Sequence, residues 1–445
     1  MRVTFIQPSL HGRPSRDAMP PLCFAVLEAH TPPGVETTLF DERIETVPLD
    51  HATDLVALSV ETYTARRAYQ IAAGFRARGV PVVMGGHHPT LVPDEALEHA
   101  DTVVIGEGER TWPRLLDDFG RGHMQRVYRE TEFHALDGPR ADRGIFRGKR
   151  YANLTLVQYG RGCRFHCDFC SIHAVYGTSL RQRPVAEVAE EIAREGRRHV
   201  FFVDDNLFAS EAKARELCEA LLPLGIRWSC QTSVDLVRDR ELVRLMARSG
   251  CTVALIGLES LEPANLRQMR KGWALRSGDY ADCLRTLREA GILVYGTFVF
   301  GYDGDTHDSF DATAEFALEQ RLFLANFNPL TPTPGTALDD RLRAEGRLVH
   351  DKWWLAPGYR YGEAGFHPRG MTAQQLTEGC YRARTRFYSR SSIARRLLMS
   401  RHTLASPHRI AIYLGANSVS RREVRAKQGR ALGRPEPQPA GRGVA

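Results

Sequence analysis

The chain has 445 residues, 43% of them hydrophobic and 25% charged, and a formal net charge of +7. That length calls for two or three domains, and the composition excludes fibrous and wholly disordered classes. No run of eighteen apolar residues is present and the opening MRVTFIQPSL lacks a leader's apolar stretch, so neither a spanning helix nor a secretory signal is expected.

Residues 1–145 alternate short β-prone runs at 3–7, 55–60, 80–84 and 102–105 with helical patterns. In one of these, 65–78, Ala68, Ile71, Ala72 and Phe75 recur at three- and four-residue spacings, the mark of one apolar helix face. Buried strands separated by helices predict a doubly wound parallel sheet, with its ligand site beyond the carboxyl ends of the strands. Those ends carry Gln7-Pro8-Ser9, Ser59-Val60-Glu61-Thr62, Gly85-Gly86-His87-His88 and Gly106-Glu107-Gly108-Glu109. Glycine there lets backbone approach a flat or phosphate-bearing ligand. Residues 120–150, polar and rich in Gly and Arg, read as a linker.

A second alternation occupies 150–330. Six strand candidates, 154–159, 199–204, 226–232, 252–257, 292–300 and 322–328, are separated by amphipathic helical stretches. These include 185–194, a helix capped by Ser210 and running to 222, and 280–290, ended by Gly291. Six consecutive βα units predict a partial (βα)6 barrel whose working end is again the carboxyl end of its strands. After Pro329 the segment TPTPG breaks the pattern. A small C-terminal region over 331–415 then carries Trp353, Trp354, Tyr359, Tyr361 and Phe366. It also carries a helix opened by Thr372 with Gln375 completing a capping box. The stripe Leu376, Cys380, Ala383, Phe387 is expected to be core. From Arg421 to Arg442 seven Lys/Arg face two Glu, so 416–445 reads as a solvated, disordered basic tail, with no nucleic-acid or membrane partner expected.

Nine cysteines, an odd number and mostly scattered, argue against a disulfide framework and for a reducing cytoplasm. One cluster stands out: Cys163, Cys167 and Cys170 follow the first barrel strand in GRGCRFHCDFC. A [4Fe-4S] cube needs a ligand for each of four irons, so three thiolates leave one iron open. The amino and carboxylate groups of adenosylmethionine are suitable chelators for it. The alternative is a structural zinc with His166 or His173 as fourth ligand, although no second cysteine pair is present. Cys23, Cys218, Cys230, Cys251, Cys283 and Cys380 are expected to be buried small hydrophobes.

The motif CxxxCxxC after the first strand of a six-fold βα repeat resembles the radical S-adenosylmethionine superfamily. MGGHHPTLVPDEAL followed by ADTVVIGEGERTW resembles the cobalamin-binding domain of one large branch of it. The two resemblances cover roughly 1–345, and the aromatic C-terminal segment is similar to the tail found in part of that branch. The resemblance implies that Cys163, Cys167 and Cys170 ligate the cluster and that Phe169 lies near the adenine. The strand end Phe202 to Asn206 would lie near the methionine amino group, although Asp204 and Asp205 can equally be helix caps. Gln231, Ser233 and Glu259 would face ribose or substrate. Cobalamin, if bound, would lie against Ser59, Gly85, Gly86 and Gly106. The Asp-x-His-x-x-Gly signature is absent, so either His87 or His88 supplies a lower ligand, none is used, or the domain only shapes the pocket.

The implied activity is reductive cleavage of S-adenosylmethionine to a 5′-deoxyadenosyl radical and hydrogen abstraction from an unactivated carbon of a small-molecule, natural-product intermediate. A low-potential donor such as flavodoxin or ferredoxin would feed the cluster. Two outcomes stay open. One is cobalamin-assisted C-methylation. The other is a cobalamin-independent lyase step, loss of water from a sugar diol in aminoglycoside-type antibiotic biosynthesis, for which Glu259, Tyr295 and Asp303 are the candidate acids or bases. A cofactor sensor would not need the complete cysteine triad.

Overall fold

Two six-stranded, all-parallel sheets organise the chain in the computed structural model, which describes residues 1–12, 14, 18–130, 132–208 and 210–435. The first comprises β1 (Arg2–Gln7), β2 (Glu36–Asp41), β3 (Leu55–Ser59), β4 (Val82–Gly85), β5 (Thr102–Ile105) and β6 (Val127–Arg129), in the order β2-β1-β3-β4-β5-β6. Strand order reverses between β1 and β3, which opens a crevice at their carboxyl ends. The central strands are buried because they are mostly apolar: Val3, Phe5, Ile6, Leu55, Val56 and Val82 are all sealed from solvent. The helix Ala65–Arg76 buries the expected stripe, Ala68, Ile71, Ala72 and Phe75. Two strands depart from the sequence reading. The polar ETTLFD forms edge strand β2, burying Leu39 and Asp41. The three-residue β6 extends the other edge from within 120–150, so that stretch is more than a linker.

The second sheet is the six-stranded partial barrel. Its first strand β7 (Thr155–Val157) leads into a short antiparallel pair, β8 (Gly160–Arg161) with β9 (Arg181–Gln182). Strands β10 (His199–Phe202), β11 (Arg227–Thr232), β12 (Cys251–Glu259), β13 (Leu293–Phe300) and β14 (Leu324–Pro329) follow, and β7 and β14 are its two edges. On β13, Val294, Phe298 and Phe300 are buried in the core under the surrounding helices, while Tyr295, Thr297 and Val299 alternate onto the half-buried inner face. Helices Val185–Glu195 and Tyr280–Glu289 end before glycines that take positive φ, Gly196 at 63° and Gly291 at 81°.

The C-terminal segment staples the two units together. Trp353, Trp354, Tyr359 and Leu432 lie in the core of the first sheet, whereas Phe366, Leu376, Cys380, Ala383 and Phe387 lie in the barrel core. The Thr372–Gln375 capping box is present. The basic tail is not solvated throughout as expected: residues Pro407–Lys427 form a helix that buries Tyr413 and Asn417. Arg422 and Arg425 are exposed while Arg409, Arg421 and Lys427 are half-buried, so the charge run belongs to a packed helix. Arg396 anchors it, donating to the carbonyls of Leu322 and Phe387 and to Asn417 Oδ1. The chain then returns to the first sheet, where Gly433 N donates to Leu10 O. Residues 436–445 of the expected tail lie outside the described residues. No helix of the described residues is long and apolar enough to cross a membrane.

Candidate active site between the two sheets

The carboxyl ends of both sheets border one cleft of about 1800 Å³, counted out to its open mouth. One wall holds Ser59, Gly85, Gly86, His87 and Gly106 from the first sheet; the other holds Gln158, Arg161, Tyr176 and Asp205 from the barrel.

The cysteine loop is built by its backbone partners. Gly162, just before Cys163, has φ 90°, and a Cβ there would sit 1.9 Å from Ser179 O, so only glycine fits. Asp205 Oδ2 accepts from Gly162 N at 2.8 Å. Asp204 accepts from Tyr159 N and Gly160 N. Burial pushes its carboxyl up to about 7, against those two bonds. Asp204 is therefore a clamp on the backbone between β7 and β8, and caps no helix. Within the loop, Asp168 accepts from Tyr302 Oη at 2.5 Å and pairs with Arg341 at 3.1 Å.

The three thiols are half-buried. Burial pushes Cys167 up to about 12; Cys170, Glu259 and Cys163 add to this and Lys271 opposes it. The thiols thus share one neighbourhood. Among the described residues no three His, Cys, Asp or Glu side chains are close enough to clasp a single ion. His166 and His173 stack on each other, 4.5 Å between centroids, and His173 Nδ1 is bonded to Gly177 O. This disfavours the zinc alternative, whereas a cuboidal cluster spreads its ligands over separate irons. Beside the loop, Asn206 Nδ2 lies 3.8 Å from Cys163 Sγ, and its buried Oδ1 has no hydrogen-bond partner. A buried acceptor left open at this point fits an ammonium group such as that of adenosylmethionine.

Around the loop, Phe169 packs half-buried on the barrel core. Gln231 Nε2 donates to Asp205 O. Ser233 accepts from Asn206 Nδ2 and donates to Asp235, which also holds Arg164. Glu259, at φ 66° in a bulge of β12, pairs with buried Lys271 at 3.1 Å and accepts from Thr297 Oγ1 at 3.4 Å. Lys271 escaped the sequence reading, although a buried carboxylate signals a cation in reach. Tyr295 shares Thr297's inner face of β13. Asp303 does not join these groups. It is about one-third exposed, bonded to Gln268 and flanked by Arg347 and Arg369, because its loop turns outward beyond β13.

On the opposite wall, Gly86 has φ 104° and a Cβ there would lie 2.8 Å from Val60 O. Ser59 Oγ accepts from Cys23, whose thiol opens into the cleft instead of being buried; the other five scattered cysteines are buried. His88 is sealed in the core, bonded to Tyr69, Thr62 and Glu95, and cannot reach a ligand; His87 lines the cleft. The walls are locked by charge. Glu107 pairs with Arg161 at 2.9 Å and Arg181 at 2.6 Å, and Glu109 also holds Arg161.

Family models agree with this division: the radical SAM superfamily matches residues 157–317 and the B12 binding domain residues 25–116. The chain is 33% identical over 382 residues to bacteriochlorophyllide d C-12(1)-methyltransferase of Chlorobaculum tepidum, covering 81% of both chains. The chain belongs to the radical SAM superfamily. This radical SAM enzyme is also 29% identical over 352 residues to the bacteriochlorophyllide d C-8(2)-methyltransferase of the same organism, covering 75% of this chain and 78% of that one. Its fold is that of the cobalamin-dependent S-adenosylmethionine radical enzyme OxsB, with a TM-score of 0.67 over 95% of this chain and 71% of that one at 17% identity. Membership of the radical SAM superfamily implies a [4Fe-4S] cluster and S-adenosylmethionine, and the B12-binding domain implies cobalamin.

Proposed function

We propose that this radical SAM enzyme methylates an unactivated carbon of a small-molecule, natural-product-type intermediate, with cobalamin as methyl carrier. The observation that carries the reading is the single cleft lined on one side by the glycine loops of the first sheet and on the other by Arg161, Tyr176 and Asp205, which flank the cysteine loop. Inside its mouth the cleft holds about 490 Å³, within the roughly 300–1,000 Å³ of a small-molecule site. Two similar proteins are methyltransferases by name, which supports the same direction.

When bound, the reduced cluster with S-adenosylmethionine supplies a hydrogen-abstracting radical, and cobalamin supplies the methyl group. Cys163, Cys167 and Cys170 hold the cluster, and Asn206 Oδ1 accepts from the methionyl ammonium. Phe169, Gln231 and Glu259 face the adenosyl end and the substrate. Ser59, Gly85, Gly86 and Gly106 would bed the corrin; His88 is already bonded within the core, and His87 is the histidine that lines the cleft. The Glu107 lock fixes the two walls relative to each other.

A lyase reading needs a free acid or base beside the leaving hydroxyl. Of its three candidates Glu259 is paired with Lys271 and Asp303 is turned outward, while Tyr295 keeps its place on the inner face of β13. The test is anaerobic reconstitution with cobalamin, reductant and candidate substrates, bacteriochlorophyllides among them. Methylation yields S-adenosylhomocysteine and 5′-deoxyadenosine with the methylated product. Formation of 5′-deoxyadenosine with a dehydrated product and no S-adenosylhomocysteine would refute the proposal, and Cys163→Ala must abolish both.

A further inference from the structure

We infer that the outer face beside the cysteine loop is the docking surface for an acidic one-electron carrier protein. The inference rests on the reading that the loop holds a reducible cluster. Arg164 and His166 are the exposed side chains of the Cys163–Cys170 stretch. Between them, Phe165 lies flat on Trp273, with ring centroids 3.5 Å apart and planes 6° apart. Trp273 sits on the short helix Gly272–Ser277, and the chain just before it is tied to the loop, Asp168 N donating to Met269 O at 3.2 Å. The aromatic pair therefore runs from the cysteine loop to a neighbouring surface segment.

That segment is one-sided in charge. Between Glu262 and Asp279 it contains Arg267, Arg270, Lys271 and Arg276 and no carboxylate. Lys271 turns inward to Glu259. Arg267, Arg270 and Arg276 are exposed, and among the described residues none has an ion-pair partner. The carboxylates around the loop are engaged elsewhere: Asp235 with Arg164, Asp168 with Arg341 and Tyr302, and Asp303 with Arg347, Arg369 and Gln268. Arg267, Arg270 and Arg276 thus leave one short segment with exposed positive charge, of which only Arg270 also feels a loop carboxylate, Asp168, and an anionic partner complements that field.

Charge complementarity selects the occupant. The cleft side of the loop is closed by the first sheet through Arg161 and Glu109, so the arginine face is an approach left to a large partner. A protein with an acidic surface around a low-potential flavin or iron–sulfur centre fits it, steered by the field and brought against the Phe165–Trp273 pair. The step is a single electron transfer: the carrier loses one electron and the cluster gains it, with no bond made or broken. Phe165 and Trp273 are positioning residues for this approach.

The test follows cluster bleaching by stopped flow in the reconstituted full chain, with reduced flavodoxin or with dithionite as reductant. In the double variant Arg267→Glu/Arg270→Glu the flavodoxin rate at low salt falls about tenfold or more, as for loss of electrostatic steering. The parent rate falls with added salt. The dithionite rate and the cluster absorbance stay as in the parent. Equal flavodoxin rates in parent and variant, a salt-independent parent rate, or slowing with both reductants would each overturn the docking surface. So would retention by the parent of a single-stranded RNA oligonucleotide, and not of flavodoxin, that the variant loses. A parent that dithionite itself cannot bleach would instead remove the cluster reading on which the surface rests.

Discussion

Replacing Glu107 by Gln removes the charge that joins the glycine loop after β5 to the cysteine loop after β7. Glu107 is about 11% exposed and lies between Arg161 at 2.9 Å and Arg181 at 2.6 Å. Burial alone would raise its carboxyl, yet Arg181 and Arg161 hold it below the ordinary carboxylate range. Breaking a buried pair by removing one partner costs about 3–5 kcal/mol. Arg161 keeps Glu109, and Arg181 keeps His134 O at 2.8 Å, so the loss belongs at the lower end, about 3 kcal/mol. That is enough for the walls to shift. A displacement of about 1 Å between reacting groups costs about a hundredfold in rate. The expected signature is uncoupling: S-adenosylmethionine is still cleaved to 5′-deoxyadenosine, while methylated product per cleavage falls about ten- to a hundredfold. Product and 5′-deoxyadenosine are quantified together by mass spectrometry, with Glu107→Asp partly restoring the ratio. A Glu107→Gln enzyme whose product-to-cleavage ratio matches the parent refutes the lock as a positioning device.

Three further outcomes are expected. Gly162→Ala keeps every thiol, but its Cβ collides with Ser179 O, so reconstituted iron content drops to that of Cys163→Ala while circular dichroism stays native. Glu95 accepts from Tyr69, His88 and Trp354 and pairs with Lys352; burial opposes these partners, yet its pKa falls from 4.5 to about 2. A carboxylate depressed in the folded state stabilises above pH 4.5 and loses that contribution as pH falls through 2, so Glu95→Gln costs about 3 kcal/mol at neutral pH. That deficit in denaturant melts shrinks as acid titrates the parent, and a pH-independent deficit speaks against it. Arg396→Leu strands the carbonyls of Leu322, Phe323 and Phe387 in the interior, costing about 3 kcal/mol or more. Limited proteolysis then cuts within Pro407–Lys427 in the variant, and equal resistance to the parent counts against that anchor.

What could be read from the chain beforehand was whatever rests on local pattern. All six barrel strands, the capping box at Thr372 and the cysteine loop follow from periodicity and spacing. The edge strand β2 stayed hidden because ETTLFD buries only one face position beside Asp41, and edge strands carry little apolar signal. The final helix was masked by its arginines: the charge that suggested a solvated tail belongs to a helix whose Arg422 and Arg425 face solvent and whose Tyr413 and Asn417 are buried. Carboxylates were the hardest to place. Asp204, Asp303 and Glu259 look alike at strand ends, yet one clamps backbone, one pairs outward and one meets a buried lysine. The Glu107–Arg161–Arg181 lock was invisible because the two arginines lie 54 and 74 positions from Glu107. Pairings over such separations are set by the tertiary fold and leave no short-range trace.

The C-terminal stapling has a bearing on how the protein is made. The core of the first sheet includes Trp353, Trp354, Tyr359 and Leu432. A ribosome adds about 5–20 residues per second, and domains generally fold in the order they emerge. Here the first-emerging sheet must wait through the whole barrel, some tens of seconds at that rate, before its own interior can be completed. During that interval its apolar face is a client for chaperones, and the glycine loops at its strand ends lie open. The last turn is captured only at the end of it, by Leu10 and Gln70. Expression strategies that alter residues near 432 act on the opposite end of the polypeptide, through a core that only late synthesis can finish.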